Sequence, residues 1–153
     1  RQHYKDFIMI KIYVSVTGDL FHYGHISFFK KAREFGDSLM VGICSDEDVA
    51  AYKWPPVLNL NQRVAVIKYC NLVDQIVPSA PPETTEKFIN DNQIDLVVAT
   101  KAYSKAALNR FYKDPQRMGI LQLVDYKDGI STSSIVERCA ELHKKRKELE
   151  KKL

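Results

Sequence analysis

The sequence predicts an α/β fold, a mostly parallel sheet with helices on both faces. Two observations support this prediction: short apolar runs of strand type alternate with amphipathic helical stretches, and capping or breaking residues separate them. This alternation favours parallel strands joined by right-handed crossovers, the Rossmann-like arrangement. No internal repeat or linker divides the chain, so we expect one domain over residues 1–153.

Five apolar runs are predicted to form the strands of this sheet. They lie at 8–16, 38–44, 75–78, 94–99 and 120–124. Most are rich in Val, Ile and Leu, which is typical of strands that are buried on both faces of a parallel sheet. In such sheets ligands bind at the carboxyl ends of the strands, where the strand order reverses.

Five helices are predicted between and after these strands. They lie at 25–35, 46–52, 61–70, from Thr84 or Thr85 to about Asn90, and at 133–147. Gly36 ends the first helix, and Ser45 or Asp46 caps the second. Residues 100–116 have no clean period, so we expect a mobile loop with one helical turn there.

Composition limits the compartment and the classes of partner. Cys44, Cys70 and Cys139 are widely spaced without a CxxC pair, which favours free thiols and predicts a cytoplasmic protein. Residues 1–7 are polar and precede the first apolar run, so we expect an N-terminal extension and no secretory leader here. The apolar runs are shorter than a bilayer span. The net charge of +4 is concentrated in a basic helical tail at 144–153, so we expect neither nucleic acid nor a membrane as partner.

The turn after the first strand carries a pair of histidines. Gly18–His25 reads G-D-L-F-H-Y-G-H and places His22 and His25 where the first helix begins. Unpaired N–H groups at a helix N-terminus bind anions, and Gly24 lets a ligand approach the backbone. The imidazoles can donate hydrogen bonds to a phosphate chain and stabilise charge on a leaving group. A zinc site is the alternative, but no third ligand is near in sequence, so we expect no metal held by the protein.

A second turn of phosphate-binding type precedes the last helix. Asp128–Ser134 reads D-G-I-S-T-S-S, a glycine and several hydroxyls before an apolar helical run. A plain Ser or Thr N-cap also explains this turn. Across a parallel sheet from His22 and His25, the turn would form a second wall of the same anion site.

Together the motifs resemble the cytidylyltransferase family of the HxGH nucleotidyltransferase superfamily. Asp19–His25 is similar to the family's D-x-F-H-x-G-H, and Gly129–Thr132 is similar to its G-I-S-T. Val41–Glu47 resembles the V-G-V-x-S-D-E segment of the choline- and ethanolamine-phosphate enzymes. Lys53 precedes Arg63 by ten residues, the spacing of a basic pair in those enzymes. The resemblance covers nearly the whole chain.

The resemblance implies an enzyme that condenses CTP with a phosphorylated alcohol to a CDP-alcohol and pyrophosphate. The expected alcohol is phosphoethanolamine or phosphocholine, followed by glycerol 3-phosphate, which implies a role in phospholipid biosynthesis. Mg²⁺ is expected on the triphosphate. The family also implies a homodimer, with residues 71–77 near the interface.

The same resemblance assigns roles to individual residues. The expected catalytic residues are His22, His25 and Lys53. The expected nucleotide-binding residues are Thr17, Gly18, Gly24, Gly129, Ile130, Ser131 and Thr132. The expected substrate-binding residues are Lys53, Lys101 and Arg63. Because the attacking group is already a phosphate oxyanion, lysine and imidazolium charge would serve the reaction better than a general base.

Two of the basic residues have alternative roles. Arg63 is equally well explained as the internal ion-pair partner of Asp46 or Glu47. Lys101 stands in Ala99-Thr100-Lys101, where choline enzymes carry H-D-D, and would disfavour a cationic alcohol. Its alternative is a side chain that points into solvent.

Three further positions depart from the family pattern. Ser15 and Val16 replace an Asp-Gly pair, and Tyr126 replaces an arginine that clamps phosphate. These departures keep a second function open, a nucleotide-binding or regulatory domain that is weakened in catalysis. A third is adenylyl transfer, because relatives in the superfamily use ATP.

Overall fold

A five-stranded parallel sheet forms the centre of the protein. The computed structural model describes residues 8–126 and 129–152. Its strands are β1 (Lys11–Val16), β2 (Ser38–Ile43), β3 (Gln75–Pro78), β4 (Leu96–Thr100) and β5 (Leu121–Val124). They lie in the order β3-β2-β1-β4-β5, and every neighbouring pair within the described part of the chain is parallel. The predicted fold class is confirmed.

Both faces of the sheet are covered by apolar side chains. Ile12 and Val14 of β1 point to one face, where Phe29 of the first helix packs, and Tyr13 points to the other, where Ile89 packs. All five side chains are at most 2% exposed. Successive side chains of a strand alternate between faces, so a strand covered on both sides needs the nearly continuous apolar run of the sequence.

Seven helices are present in the described residues. They are α1 (Tyr23–Arg33), α2 (Asp46–Ala50), α3 (Leu60–Ile67), α4 (Glu86–Asp91), α5 (Lys105–Phe111), α6 (Lys113–Arg117) and α7 (Thr132–Glu150). Of the alternative caps, Ser45 begins α2 and Thr85 begins α4, each accepting a backbone N–H with its hydroxyl. No helix in the described ranges has the length and apolar character needed to cross a membrane.

The predicted mobile loop at 100–116 is wrong, because this segment contains both α5 and α6. Ser104 caps α5 by accepting the N–H of Ala107, and Tyr112, between the two helices, is 2% exposed. α5 has seven residues and α6 has five, which are too few to show a helical period. Burial of Tyr112 against the sheet therefore holds a segment that local pattern does not identify.

Candidate active site

A cavity of about 790 Å³ opens at the carboxyl ends of β1 and β4. The strand order reverses between these two strands, so the cavity lies at the switch point where parallel sheets bind ligands. The predicted site residues that line it are Thr17, Gly18, His25, Lys53 and Thr132. They come from distant parts of the sequence, and the sheet brings them together.

The two histidines form the cap of helix α1. His22 is the N-cap residue, and its Nδ1 accepts the N–H of Gly24 at 3.0 Å. The Nδ1 of His25 accepts the N–H of His22 at 3.2 Å. The ring centroids are 4.0 Å apart. An Nδ1 that accepts a hydrogen bond carries no proton, so in each ring the proton is on Nε2, which can donate a hydrogen bond.

The charge state of His25 differs from the sequence expectation. Burial, together with the neighbouring His22 and Lys53 and against an opposing effect of Asp19, lowers the pKa of His25 to about 4. The expected imidazolium is therefore a neutral imidazole near pH 7 in the ligand-free protein. His25 can still donate a hydrogen bond through Nε2.

Gly24 is required by two side chains that lie against it. A Cβ at this position would be 2.3 Å from the Oη of Tyr126 and 2.7 Å from Cε1 of His22. Tyr126 thus lies on the histidine turn, and its hydroxyl donates to the carbonyl of Ile130 at 3.4 Å. Tyr126 stands at the position of the family's arginine. It therefore joins the turn Gly18–His25, the histidine turn, to the turn at 129–134 before α7, the late turn.

The late turn is tied directly to the histidine turn. The hydroxyl of Thr132 donates to the main-chain carbonyl of Asp19 at 2.9 Å, a bond between residues 113 positions apart. Ser131 is the N-cap of α7, and its hydroxyl accepts the N–H of Ser134 at 3.1 Å. Gly129 precedes it with φ of +61°. Thr132 and Ser133 line the cavity, whereas the hydroxyl of Ser131 is used in capping.

The first turn needs glycine at position 18. Gly18 has φ of +68°, and a Cβ there would be 2.5 Å from Cδ1 of Ile67. Thr17 lines the cavity and offers its carbonyl to the guanidinium of Arg63. These two expected nucleotide-binding residues therefore lie at the end of β1 beside the histidine turn.

Lys53 reaches the cavity from the segment after α2. Although the residue as a whole is exposed, partial removal from water lowers the pKa of its ammonium group. Its Nζ lies 5.7 Å from the ring centroid of Tyr52. Lys53 thus supplies a cation to the cavity that His25, near the N-terminus of α1, also lines.

Arg63 is not among the residues that line the cavity, where a substrate-binding role was expected of it. Its side chain is 0% exposed, and its nitrogens donate to the carbonyls of Thr17, Cys44 and Leu58. One nitrogen also pairs with Asp46 at 2.6 Å. The alternative role as an internal ion-pair partner is confirmed.

Lys101 also lies outside the cavity lining. Its Nζ is 3.3 Å from a carboxylate oxygen of Asp125, and both side chains are more than half exposed. The expected contact of Lys101 with substrate therefore stays a prediction that this position does not support. The solvent-facing alternative describes its position better.

An aromatic wall lines the part of the cavity that the sequence analysis did not assign. Tyr52 and Phe111 have ring centroids 5.2 Å apart, and those of Tyr103 and Tyr112 are 5.4 Å apart. Burial raises the pKa of Tyr52 to about 12, so this phenol is neutral near pH 7. Phe111 ends α5 and Tyr112 follows it directly, in a segment that lacks a visible period, which explains why these two rings were missed. The sequence feature that could have indicated this wall is the number of aromatic residues from 103 to 112.

Known proteins with similar sequences are cytidylyltransferases. The chain is 32% identical to the ethanolamine-phosphate cytidylyltransferase of Dictyostelium discoideum over 84% of its length, and 37% identical to that of Arabidopsis thaliana over 86%. It is 33% identical to human choline-phosphate cytidylyltransferase A over 84% of its length. The matches cover 36%, 33% and 36% of those proteins, so the chain spans about a third of their length.

A solved structure shares the fold of this chain, and a family model matches its sequence. The lipopolysaccharide core biosynthesis protein of Thermoplasma volcanium GSS1 superposes with a TM-score of 0.64 at 22% identity, over 78% of this chain and 99% of that one. The family model described as cytidylyltransferase-like matches residues 17–138, which contain the histidine turn, the late turn and the segment with Lys53. The chain therefore belongs to the cytidylyltransferase-like family.

Proposed function

We propose that this chain transfers a cytidylyl group from CTP to a phosphorylated alcohol. The observation that carries the proposal is the bond from Thr132 to Asp19, because it joins the histidine turn and the late turn into one wall of the cavity. Lys53 lies in the same cavity. An anion site of this size with a lysine beside it suits a triphosphate and a second phosphate.

The proposed reaction is an in-line displacement at phosphorus. An oxygen of the phosphomonoester attacks the α-phosphorus of CTP, the new P–O bond forms, and the bond to the β-phosphate oxygen breaks with departure of pyrophosphate. The attacking oxygen is already an anion, so no side chain has to remove a proton. Bringing two anions together is the main difficulty, and the ammonium of Lys53 lowers this repulsion.

The histidines are proposed to act as neutral donors. The Nε2–H groups of His22 and His25 would hydrogen-bond to phosphate oxygens, and negative charge close to His25 would raise its pKa from about 4. Mg²⁺ on the triphosphate would neutralise further phosphate charge. In the described ranges no group of three or more His, Cys, Asp and Glu side chains is arranged to hold a metal ion. The metal would therefore be held mainly by phosphate oxygens.

The preferred alcohol phosphates are phosphoethanolamine and phosphocholine, with glycerol 3-phosphate next. The relatives act on ethanolamine phosphate and choline phosphate, according to their names. The aromatic wall of Tyr52, Tyr103, Phe111 and Tyr112 suits a cationic head group, because ring faces attract cations. The expected repulsion by Lys101 loses its basis, because this side chain pairs with Asp125.

Pyrophosphate release tests the proposal directly. The protein is incubated with CTP or ATP and each of the three alcohol phosphates, and we expect turnover with CTP and one of the amino alcohols. Lys53→Met should lower kcat/KM by at least about 100-fold, while Lys87→Met, an exposed lysine on α4, should leave it unchanged. A folded protein without turnover for any pair would refute the proposal.

A second candidate is a nucleotide-binding domain with weakened catalysis. Tyr126 motivates it, because a phenol on the histidine turn replaces a charged, bidentate arginine. Calorimetry would then detect CTP binding in a protein that forms no CDP-alcohol. If ATP rather than CTP gives the larger thermal shift, adenylyl transfer becomes the better assignment.

We also propose a cytoplasmic homodimer that serves phospholipid biosynthesis. The exposed side chains of Val66 and Tyr69 lie beside the predicted interface segment at 71–77. Light scattering at two protein concentrations measures the molar mass in solution. A monomer at both concentrations would contradict the dimer.

A further inference from the structure

Asp19 connects three parts of the active site, although the sequence analysis gave it no role. The residue is 5% exposed. Its carboxylate oxygens accept the backbone N–H groups of Val57 at 2.7 Å and Leu58 at 2.9 Å, and that of the adjacent Leu20 at 3.1 Å. Its main-chain carbonyl accepts the hydroxyl of Thr132. The histidine turn, the late turn and the segment after Lys53 therefore meet at one residue.

The segment from Lys53 to Pro56 is tied at both ends. At the first end, the N–H of Lys53 donates to the carbonyl of Val49 at 3.0 Å. Pro55 and Pro56 have no N–H and a restricted φ. At the second end, the N–H groups of Val57 and Leu58 both donate to the carboxylate of Asp19. This carboxylate therefore attaches the end of the segment to the histidine turn.

We infer that Asp19 is a positioning residue that holds the segment of Lys53 at the cavity that His25 also lines. Both Lys53 and His25 line the cavity, together with Asp19 itself. The N–H of Val57 donates to Oδ2 of Asp19 and the N–H of Leu58 donates to Oδ1. The attachment therefore depends on both carboxylate oxygens. The catalytic consequence of this inference rests on the proposed function, whereas the attachment itself does not.

Asp19→Asn tests the attachment, because an amide keeps the size but replaces one acceptor oxygen by an NH₂ donor. The N–H of Val57 or Leu58 would then face another donor, and the segment should open more often. Asp95→Asn is the matched control. Asp95 also accepts a backbone N–H, that of Lys11 at 2.8 Å, but at the amino end of β1.

Trypsin reports this opening at a defined bond. Cleavage after Lys53 requires local opening of the segment, and mass spectrometry identifies the two products. We expect Asp19→Asn to be cleaved there at least about tenfold faster than the wild type, with Asp95→Asn unchanged. Trp54, the single tryptophan of the chain, gives a second readout, since its fluorescence anisotropy should fall in Asp19→Asn. Equal cleavage and equal anisotropy in all three folded proteins would overturn the inference.

Kinetics test whether Asp19 acts through Lys53. With CTP and phosphoethanolamine, Asp19→Asn should lower kcat/KM by about 100-fold, the usual cost of misplacing a reacting group. In the Lys53→Met background the same change should cost less than about threefold, because the residue that it positions is gone. An undiminished loss in that background would overturn the proposed coupling. A wild type without turnover would refute the proposed function but leave the trypsin result valid.

The wild type provides a test if Asp19→Asn does not fold. Amide exchange of Val57 and Leu58, measured by NMR, should be slow although Val57 is exposed as a residue. Exchange as fast as in an unprotected loop would overturn the inference.

Discussion

Replacing Arg63 by methionine separates its structural role from a substrate-binding role. The methionine stem can occupy the same buried volume but has no donors. The carbonyls of Thr17, Cys44 and Leu58 would then lose their partner, and the carboxylate of Asp46 would lose its cation.

The expected loss follows from what these groups lose. A buried polar group without a partner costs about 1–3 kcal/mol, and breaking a buried ion pair costs about 3–5 kcal/mol. The side chain of Asp46 is 38% exposed, so water partly replaces the cation that this carboxylate loses and reduces the cost of breaking the ion pair. We therefore expect Arg63→Met to lower the free energy of unfolding by about 3–5 kcal/mol, a large part of the 5–15 kcal/mol typical of a domain. Arg63→Lys keeps the charge but not the fork of donors, so about half of the loss should remain.

Urea unfolding followed by circular dichroism measures this loss, with Arg138→Met on the exposed face of α7 as the control. The control should lie within about 0.5 kcal/mol of the wild type. If Arg63→Met instead unfolds like the wild type but raises KM for the alcohol phosphate, Arg63 contacts substrate and the structural role is refuted.

Three further predictions concern the two turns. Gly24→Ala places a methyl group 2.3 Å from the phenol oxygen of Tyr126, so we expect an overpacking cost of about 1–3 kcal/mol and a smaller thermal shift with CTP; an unchanged CTP shift would contradict the contact. The imidazole of His25 should titrate with a midpoint of about 4 by NMR. Because this folded pKa is below the ordinary value of about 6.5, the contribution of His25 to stability is complete above pH 6.5 and is lost as the pH falls towards 4. A midpoint near 6.5 would show that the ring is not desolvated. Thr132→Val removes the donor to Asp19 and should lower the unfolding free energy by about 1 kcal/mol and reduce kcat/KM, while Thr132→Ser should restore both; a valine variant with wild-type kinetics would show that the two turns do not depend on this bond.

Local features of the site were predictable because the interactions that form them are local. The capping box of His22 and His25 uses bonds between residues that are at most three apart. The caps Ser45 and Thr85 are equally local, and α2 and α4 begin directly after them. The roles of His25 and Lys53 on substrate stay predictions, although both residues line the cavity.

Burial decided the positions that the sequence left open. Arg63 and Lys101 are both basic residues close to expected phosphate sites, yet one is buried with four hydrogen bonds and the other pairs with Asp125 in solvent. Residue type alone does not distinguish these outcomes, because they depend on carbonyls and carboxylates that other segments bring. The charge of His25 is a similar case, since desolvation by its surroundings lowers its pKa.

The sequence alone indicated the five strands, five of the seven helices in the described residues, the histidine turn, the late turn and the family, because apolar period, capping residues and short motifs act over a few neighbouring positions. Only the tertiary structure decided that Asp19 holds both Thr132 and the segment after Lys53, that Arg63 is internal, and that aromatic rings from α5 and its C-terminal end line the cavity. These arrangements join residues that are far apart along the chain. Their energies come from packing and from removal of water, which no short stretch of sequence specifies.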